Sequence, residues 1–208
     1  MANLVEIRGT IASYITNPIV AVLGKSRLKP NTLTFIELAI SIGVAYAIVI
    51  GYFLLGGVLV LVSGLFDLLD GALARFTKQS TKFGAILDST IDRLSEAAIF
   101  CGLLVWYMPK ASPLAPSPFT GEGWGEVVLI FAALIGSFLV SYIRARAEGL
   151  GLECRVGLFT RAERVIVLAV GLLVNQVFIA LWVLVVFVYI TVSQRLLYLR
   201  KQAKVRGG

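Results

Sequence analysis

The chain has 208 residues, is 58% hydrophobic and has a mean hydropathy of +0.90, more apolar surface than a soluble core of that size can bury. It carries a formal charge of +7 and no histidine, which excludes imidazole acid–base catalysis and histidine metal sites. The class left is an all-α integral membrane protein, in which positive charge reports topology and attraction to anionic lipid, with no nucleic-acid partner expected.

Taken in chain order, the first thirty residues do not read as a cleaved signal, because Glu6, Arg8 and Pro18 interrupt any apolar centre and no small-residue cleavage site follows. Leu4, Ile7, Ile11 and Ile15 recur at helical spacing among polar residues, which predicts an N-terminal amphipathic helix lying in the membrane interface. A transmembrane helix needs about 20 apolar residues, and six candidates follow, at 33–52, 56–78, 83–107, 127–146, 158–175 and 178–197. The expected organisation is one membrane domain over 1–208: an interfacial segment at 1–30, a six-helix bundle at 31–200 and a basic tail at 201–208.

Orientation follows from the bases. Lys25, Arg27 and Lys29 precede the first span, Lys78 and Lys82 flank the second connection, and Arg144, Arg146, Arg155, Arg161 and Arg164 surround the fourth. Arg195, Arg200, Lys201, Lys204 and Arg206 close the chain, whereas the opposite connections hold only Lys110. The positive-inside rule then places both termini and the basic turns in the cytoplasm of a cell-membrane protein. The Pro- and Gly-rich stretch 111–126 is an outer loop. Cys101 and Cys154 have no CxxC spacing and receive no chemistry.

Residues 67–92, "DLLDGALARFTKQSTKFGAILDSTID", place four aspartates inside the second and third spans. Counted outward from a turn at Gln79 and Ser80, Asp70 and Asp88 reach nearly equal depth, as do Asp67 and Asp92, on the order of 13 to 19 Å from the turn. At about 100° per residue Asp67, Asp70, Gly71 and Ala74 share one broad face, and Gly84, Asp88 and Asp92 step along another. Gly71, Ala74 and Gly84 would let a helix or a bulky ligand approach the backbone.

Four unpaired carboxylates at bilayer depth would cost on the order of 10 kcal/mol. Arg75 and Arg93 can offset part of that, but mutual repulsion calls for a further cation. An all-oxygen donor set without His or Cys suits Mg²⁺ or Mn²⁺, and two such ions would stabilise in-line displacement at phosphorus. An ion-pair network and a cation or proton pathway are the competing readings. An intramembrane prenyltransferase would need a second acidic motif, and a secondary transporter would show paired broken helices in two related halves.

The pattern Asp67-x-x-Asp70-Gly71-x-x-Ala74-Arg75, eight residues, Gly84-x-x-x-Asp88-x-x-x-Asp92 resembles the signature of the CDP-alcohol phosphatidyltransferase family, and the arrangement of spans is similar throughout the chain. The resemblance implies that Asp67, Asp70 and Asp88 are metal ligands and that Asp92 is the general base, able also to touch a metal. It implies that Gly71, Ala74, Arg75 and Gly84 receive the CDP-lipid, CDP-diacylglycerol or CDP-archaeol, with Asn31 and Thr34 of "KPNTLT" as weaker candidates. A soluble phosphorylated alcohol would attack the lipid-side phosphorus and release CMP. "RARAEGLGL", "RAER" and the terminal "QR" resemble the subgroup that uses inositol phosphate, which makes Arg144, Arg146, Arg164 and Arg195 candidate acceptor-phosphate residues. Arg144 departs from the lysine common there, keeping charge while changing geometry. Glycerol 3-phosphate is the alternative acceptor, and a homodimer is a further implication of the resemblance.

Overall fold

The computed structural model describes residues 16, 18–23, 30–108, 124–154 and 156–206. The described residues hold helices and no strand: a short helical stretch at 18–23, then α1 (Pro30–Val49), α2 (Phe53–Phe76), α3 (Lys82–Tyr107), α4 (Trp124–Gly149), α5 (Arg161–Leu173) and α6 (Val177–Arg206). The expected amphipathic segment at 1–15 and residues 111–123 of the outer loop expected at 111–126 lie outside the described residues, whereas 124–126 form the first turn of α4 and are not loop.

Local chemistry sets the helix limits. At the end of α1, Gly51 takes φ +85°, a left-handed conformation that favours glycine, and Tyr52 N–H donates back to Ala47 O at 2.8 Å. The helix therefore stops at Val49, three residues before the apolar run ends. Thr81 caps α3 by accepting from Gly84 N–H at 2.9 Å. Conversely, α6 runs on through its basic residues to Arg206, because backbone hydrogen bonding need not stop where apolarity does.

The main helix contacts close a ring in which α1 touches α2 and α3, α2 touches α5, α5 touches α6, α6 touches α4, and α4 touches α3. Small residues set the spacing. A Cβ on Gly102 of α3 would lie 2.7 Å from Ala45 Cα of α1, and one on Gly57 of α2 would lie 2.7 Å from Leu173 Cγ of α5. Inside the ring Val44, Ile48, Phe100, Leu103, Ile130, Leu172, Leu181 and Leu184 form a continuous apolar core. Outside it Phe35, Ile42, Tyr46, Leu54, Leu55, Val128, Phe131, Ile135 and Ile179 remain exposed, as expected of a surface solvated by lipid.

α1, α2, α4 and α6 are long and apolar enough to cross a membrane. α3 has the length, but Asp88, Asp92, Arg93 and Glu96 interrupt its apolarity, and α5 has 13 residues. The two helices that depart from the simple span pattern, α3 and α5, both reach the acidic cluster.

Candidate active site

The first acid pair comes from α2. Asp67 and Asp70 lie one helical turn apart, and Asp88 and Asp92 repeat the arrangement on α3. Oxygens of Asp67, Asp70 and Asp88 lie within 4.8 Å of one another, and so do oxygens of Glu37, Asp67 and Asp92. Asp67 belongs to both sets and joins them. Thr34 Oγ1 of α1 donates to Asp70 Oδ2 at 2.7 Å, which fixes that carboxylate while Asp70 Oδ1 is left buried without a hydrogen-bond partner. Asp88 Oδ1 is in the same condition. Buried carboxylate oxygens without donors, converging within coordination distance and with no softer ligand among them, fit a hard divalent cation.

Next to the acids lies a cavity of about 190 Å³ lined by Asn31 and Thr34 of α1, Gly71, Ala74 and Arg75 of α2, and Gly84 of α3. Asp70 and Asp88 form part of its wall, so all six residues expected at the CDP-lipid surround one space that reaches two of the acids. A Cβ on Gly71 would meet only the Arg75 guanidinium, at 3.4 Å, leaving the backbone open to the cavity. A Cβ on Gly84 would lie 2.9 Å from Thr81 Oγ1, the atom that caps α3, and 3.6 Å from Asn31 Oδ1. A larger residue there would disturb the cap and narrow the cavity together.

Two charged residues that the motif does not contain complete the cluster. Arg161, at the start of α5, pairs through Nη1 with Asp67 Oδ1 and with Asp92 Oδ1, the latter at 2.6 Å, and donates from Nη2 to Glu37 Oε1 at 2.7 Å. Glu37 comes from the middle of α1 and is 0% exposed. Thr160 and Glu163 position the arginine: the Glu163 carboxylate accepts from Thr160 N–H at 2.7 Å and from its hydroxyl at 2.5 Å, closing the first turn of α5. Arg93 also pairs with Asp92, at 3.2 Å, as a compensating base should. Arg75 lines the cavity instead. In the sequence Arg161 looks like one more positive-inside residue, and the one available signal was Glu37, a lone carboxylate in an otherwise apolar span that demands a partner.

The four acceptor candidates divide into two kinds. Arg144 and Arg146 are exposed near the end of α4, and Arg144 donates to Glu148 at 2.8 Å. Arg164 is 3% exposed and holds Glu96 through two bonds, at 2.8 and 3.1 Å. Arg195 is 5% exposed and donates to the backbone carbonyls of Val156, at 3.0 Å, and Val140. It lies within electrostatic reach of Arg144 and Arg164. The segment it binds includes Gly157, whose φ of +138° and whose closeness to Arg195 Nε, 3.2 Å from a built Cβ, leave little room for another residue. Arg144, Arg164 and Arg195 thus lie near one another, the first open to solvent and the other two bonded into the fold, and Arg146 is exposed on the same helix as Arg144.

Residues 27–194 match the model of the CDP-alcohol phosphatidyltransferase family. The chain is 36% identical to the phosphatidylinositol phosphate synthase of Mycobacteroides abscessus, with 88% of this chain and 82% of that one covered. It is 35% identical to the archaetidylinositol phosphate synthase of Pyrococcus horikoshii, over 86% and 87% of the two chains. The phosphatidylinositol phosphate synthase of Mycobacterium tuberculosis has been solved with CDP-DAG bound, which matches at a TM-score of 0.73 and 35% identity over 88% of this chain and 92% of that one. Its structure with manganese and citrate matches at 0.74 and 34%, over 87% of each. With four membrane-length apolar helices, the acid cluster beside a cavity and a family match over most of its length, this integral membrane protein belongs to the CDP-alcohol phosphatidyltransferase family.

Proposed function

We propose that the protein transfers a phosphatidyl or archaetidyl group from a CDP-linked lipid to a hydroxyl of inositol phosphate, releasing CMP. The observation that carries this reading is the shared wall: Asp70 and Asp88 face the same cavity as Asn31, Thr34, Gly71, Ala74, Arg75 and Gly84, so a nucleotide diphosphate held there would lie against the acids. The relatives that act in phosphatidylinositol phosphate and archaetidylinositol phosphate synthesis favour this acceptor over glycerol 3-phosphate.

Asp67, Asp70 and Asp88, with Asp92 at the edge, would hold one or two divalent ions, Mg²⁺ or Mn²⁺. Such an ion, when bound, supplies positive charge to the diphosphate oxygens as the phosphorus–oxygen bond to CMP breaks. Gly71 and Ala74 admit the nucleotide close to α2, and Arg75 donates to a phosphate oxygen as a charge-assisted partner. Thr34 keeps Asp70 in one orientation. Asp92 takes the proton of the attacking hydroxyl, whose oxygen forms the new bond to the lipid-side phosphorus while CMP departs with the electron pair of the old one. Arg144 and Arg146 meet the acceptor phosphate, and Arg164 and Arg195 hold the surrounding scaffold. The six helices α1 to α6 cross the membrane with this end toward the cytoplasm, so an anchored donor and a soluble acceptor can meet there.

The test is CMP release from CDP-diacylglycerol, and separately from CDP-archaeol, by purified protein in Mg²⁺ offered inositol phosphate, glycerol 3-phosphate, serine or free inositol. Release with inositol phosphate alone is expected. Release with glycerol 3-phosphate alone would move the assignment to phosphatidylglycerophosphate synthesis, and no release with any acceptor would sink the proposal.

A further inference from the structure

Arg161 stands where two chemistries overlap. Its Nη1 contacts Asp67 Oδ1 and Asp92 Oδ1, while its Nη2 bonds Glu37 Oε1 at 2.7 Å. Glu37, Asp67 and Asp92 themselves satisfy the spacing of a cation site, within 4.8 Å, and Asp67 is shared with the Asp67, Asp70 and Asp88 set. A divalent ion coordinating Asp67 and Asp92 would sit at about 2.0 to 2.6 Å from their oxygens, the space that Nη1 fills. A cation and a guanidinium nitrogen held by the same pair of oxygens would lie close together and repel. The guanidinium fork nevertheless has a second attachment: Glu37 is fully buried on α1 and is not part of the α2–α3 motif, and the Thr160–Glu163 cap holds the base of the arginine in place.

We propose that Arg161 is a tethered cation that competes with a divalent ion for Asp67 and Asp92, and that Glu37 is the anchor to which its guanidinium withdraws when the ion binds. This rests on the metal reading given above for the same aspartates. Arg161 then sets the metal affinity of the site. It keeps the carboxylates gathered without an ion, and it weakens ion binding by the work of being moved aside. Glu37 is a positioning residue, acting through the arginine.

The experiment is a titration of the full chain in nanodiscs with Mn²⁺, read from the electron paramagnetic resonance of free Mn²⁺, without lipid donor or acceptor. Arg161→Gln is expected to bind Mn²⁺ at least about tenfold more tightly than the parent protein, and to gain more thermal stability from Mn²⁺ over chelator. Glu37→Gln is expected to weaken binding at least about threefold in the parent, but to change it little when Arg161 is already Gln. Unchanged or weaker Mn²⁺ binding by Arg161→Gln overturns the proposal. A Glu37→Gln loss that persists in the double variant makes Glu37 a direct ligand and also overturns it. Arg161→Gln is prepared in Mn²⁺ and titrated back with chelator. If it does not fold, Arg161→Lys replaces it, with a gain of about threefold expected and no gain refuting competition. Failure of the parent protein to bind Mn²⁺ at all would instead defeat the metal reading itself.

Discussion

Asp92 is held from two sides, by Arg161 on one oxygen at 2.6 Å and Arg93 on the other at 3.2 Å. A carboxylate so paired is held in one position, and movement of Arg161 would free one of its oxygens for the proton of the attacking hydroxyl. Asp92→Asn is expected to lower turnover by about 10³-fold, beyond what its weaker Mn²⁺ binding accounts for, so that saturating Mn²⁺ does not restore activity. Recovery at high Mn²⁺ would make Asp92 a ligand first. Arg164 presents the opposite case, a buried cation whose partner Glu96 is itself only 14% exposed. Truncation leaves that carboxylate unpaired, so Arg164→Ala is expected to lose about 3 to 5 kcal/mol of stability, measured by unfolding in mixed micelles. An unchanged unfolding midpoint, with a raised KM for acceptor alone, would return Arg164 to the acceptor site.

At the scale of the element, α1 and α3 come into close backbone contact where Gly102 faces Ala45. A Cβ on Gly102 would stand 2.7 Å from Ala45 Cα and 2.8 Å from its carbonyl oxygen, and backbone cannot turn aside as a side chain can. Gly102→Val is therefore expected to cost about 3 kcal/mol, the upper end for overpacking, and to reduce activity by shifting Thr34 away from Asp70. Thermal unfolding and CMP release measured on the same preparation check both parts, and a variant as stable and active as the parent would show that the helices separate freely. The span expected at 33–52 overruns the stop of α1 at Val49, which Gly51 sets and apolarity does not, whereas the one expected at 83–107 begins within one residue of α3, which Thr81 caps. The start of α5 differs as α1's end does, because the apolar run at 158–175 hides a capping box at Thr160 and Glu163 that begins the helix at Arg161.

Across the whole molecule, the closed ring α1–α2–α5–α6–α4–α3 brings α5 against α2, although more than eighty residues separate Asp67 from Arg161 in sequence. This adjacency delivers Arg161 to the acids and places the basic turn before α5 at the same end of the bundle as the turn between α2 and α3. The orientation of that end is open to a direct test. Ser80 is exposed in the α2–α3 turn, so Ser80→Cys, with Cys101 and Cys154 replaced by alanine, is expected to react with a membrane-impermeant maleimide only from the cytoplasmic side. Labelling in intact cells from outside would invert the topology.

The sequence alone determined the membrane class, the approximate limits of the helices and the convergence of four aspartates, because apolar run length and helical periodicity are local properties carried by neighbouring residues. It also marked Asn31, Thr34, Gly71, Ala74, Arg75 and Gly84 for one ligand through the family pattern, and the fold gathers them around one cavity. Only the tertiary structure decided which cation compensates the acids. Arg161, Arg164 and Arg195 are alike in sequence as bases at the ends of apolar runs, yet one lies among carboxylates, one holds Glu96 and one binds backbone carbonyls. Charge in a chain reports which side of the membrane a residue occupies. What that charge touches depends on which helices the ring sets side by side.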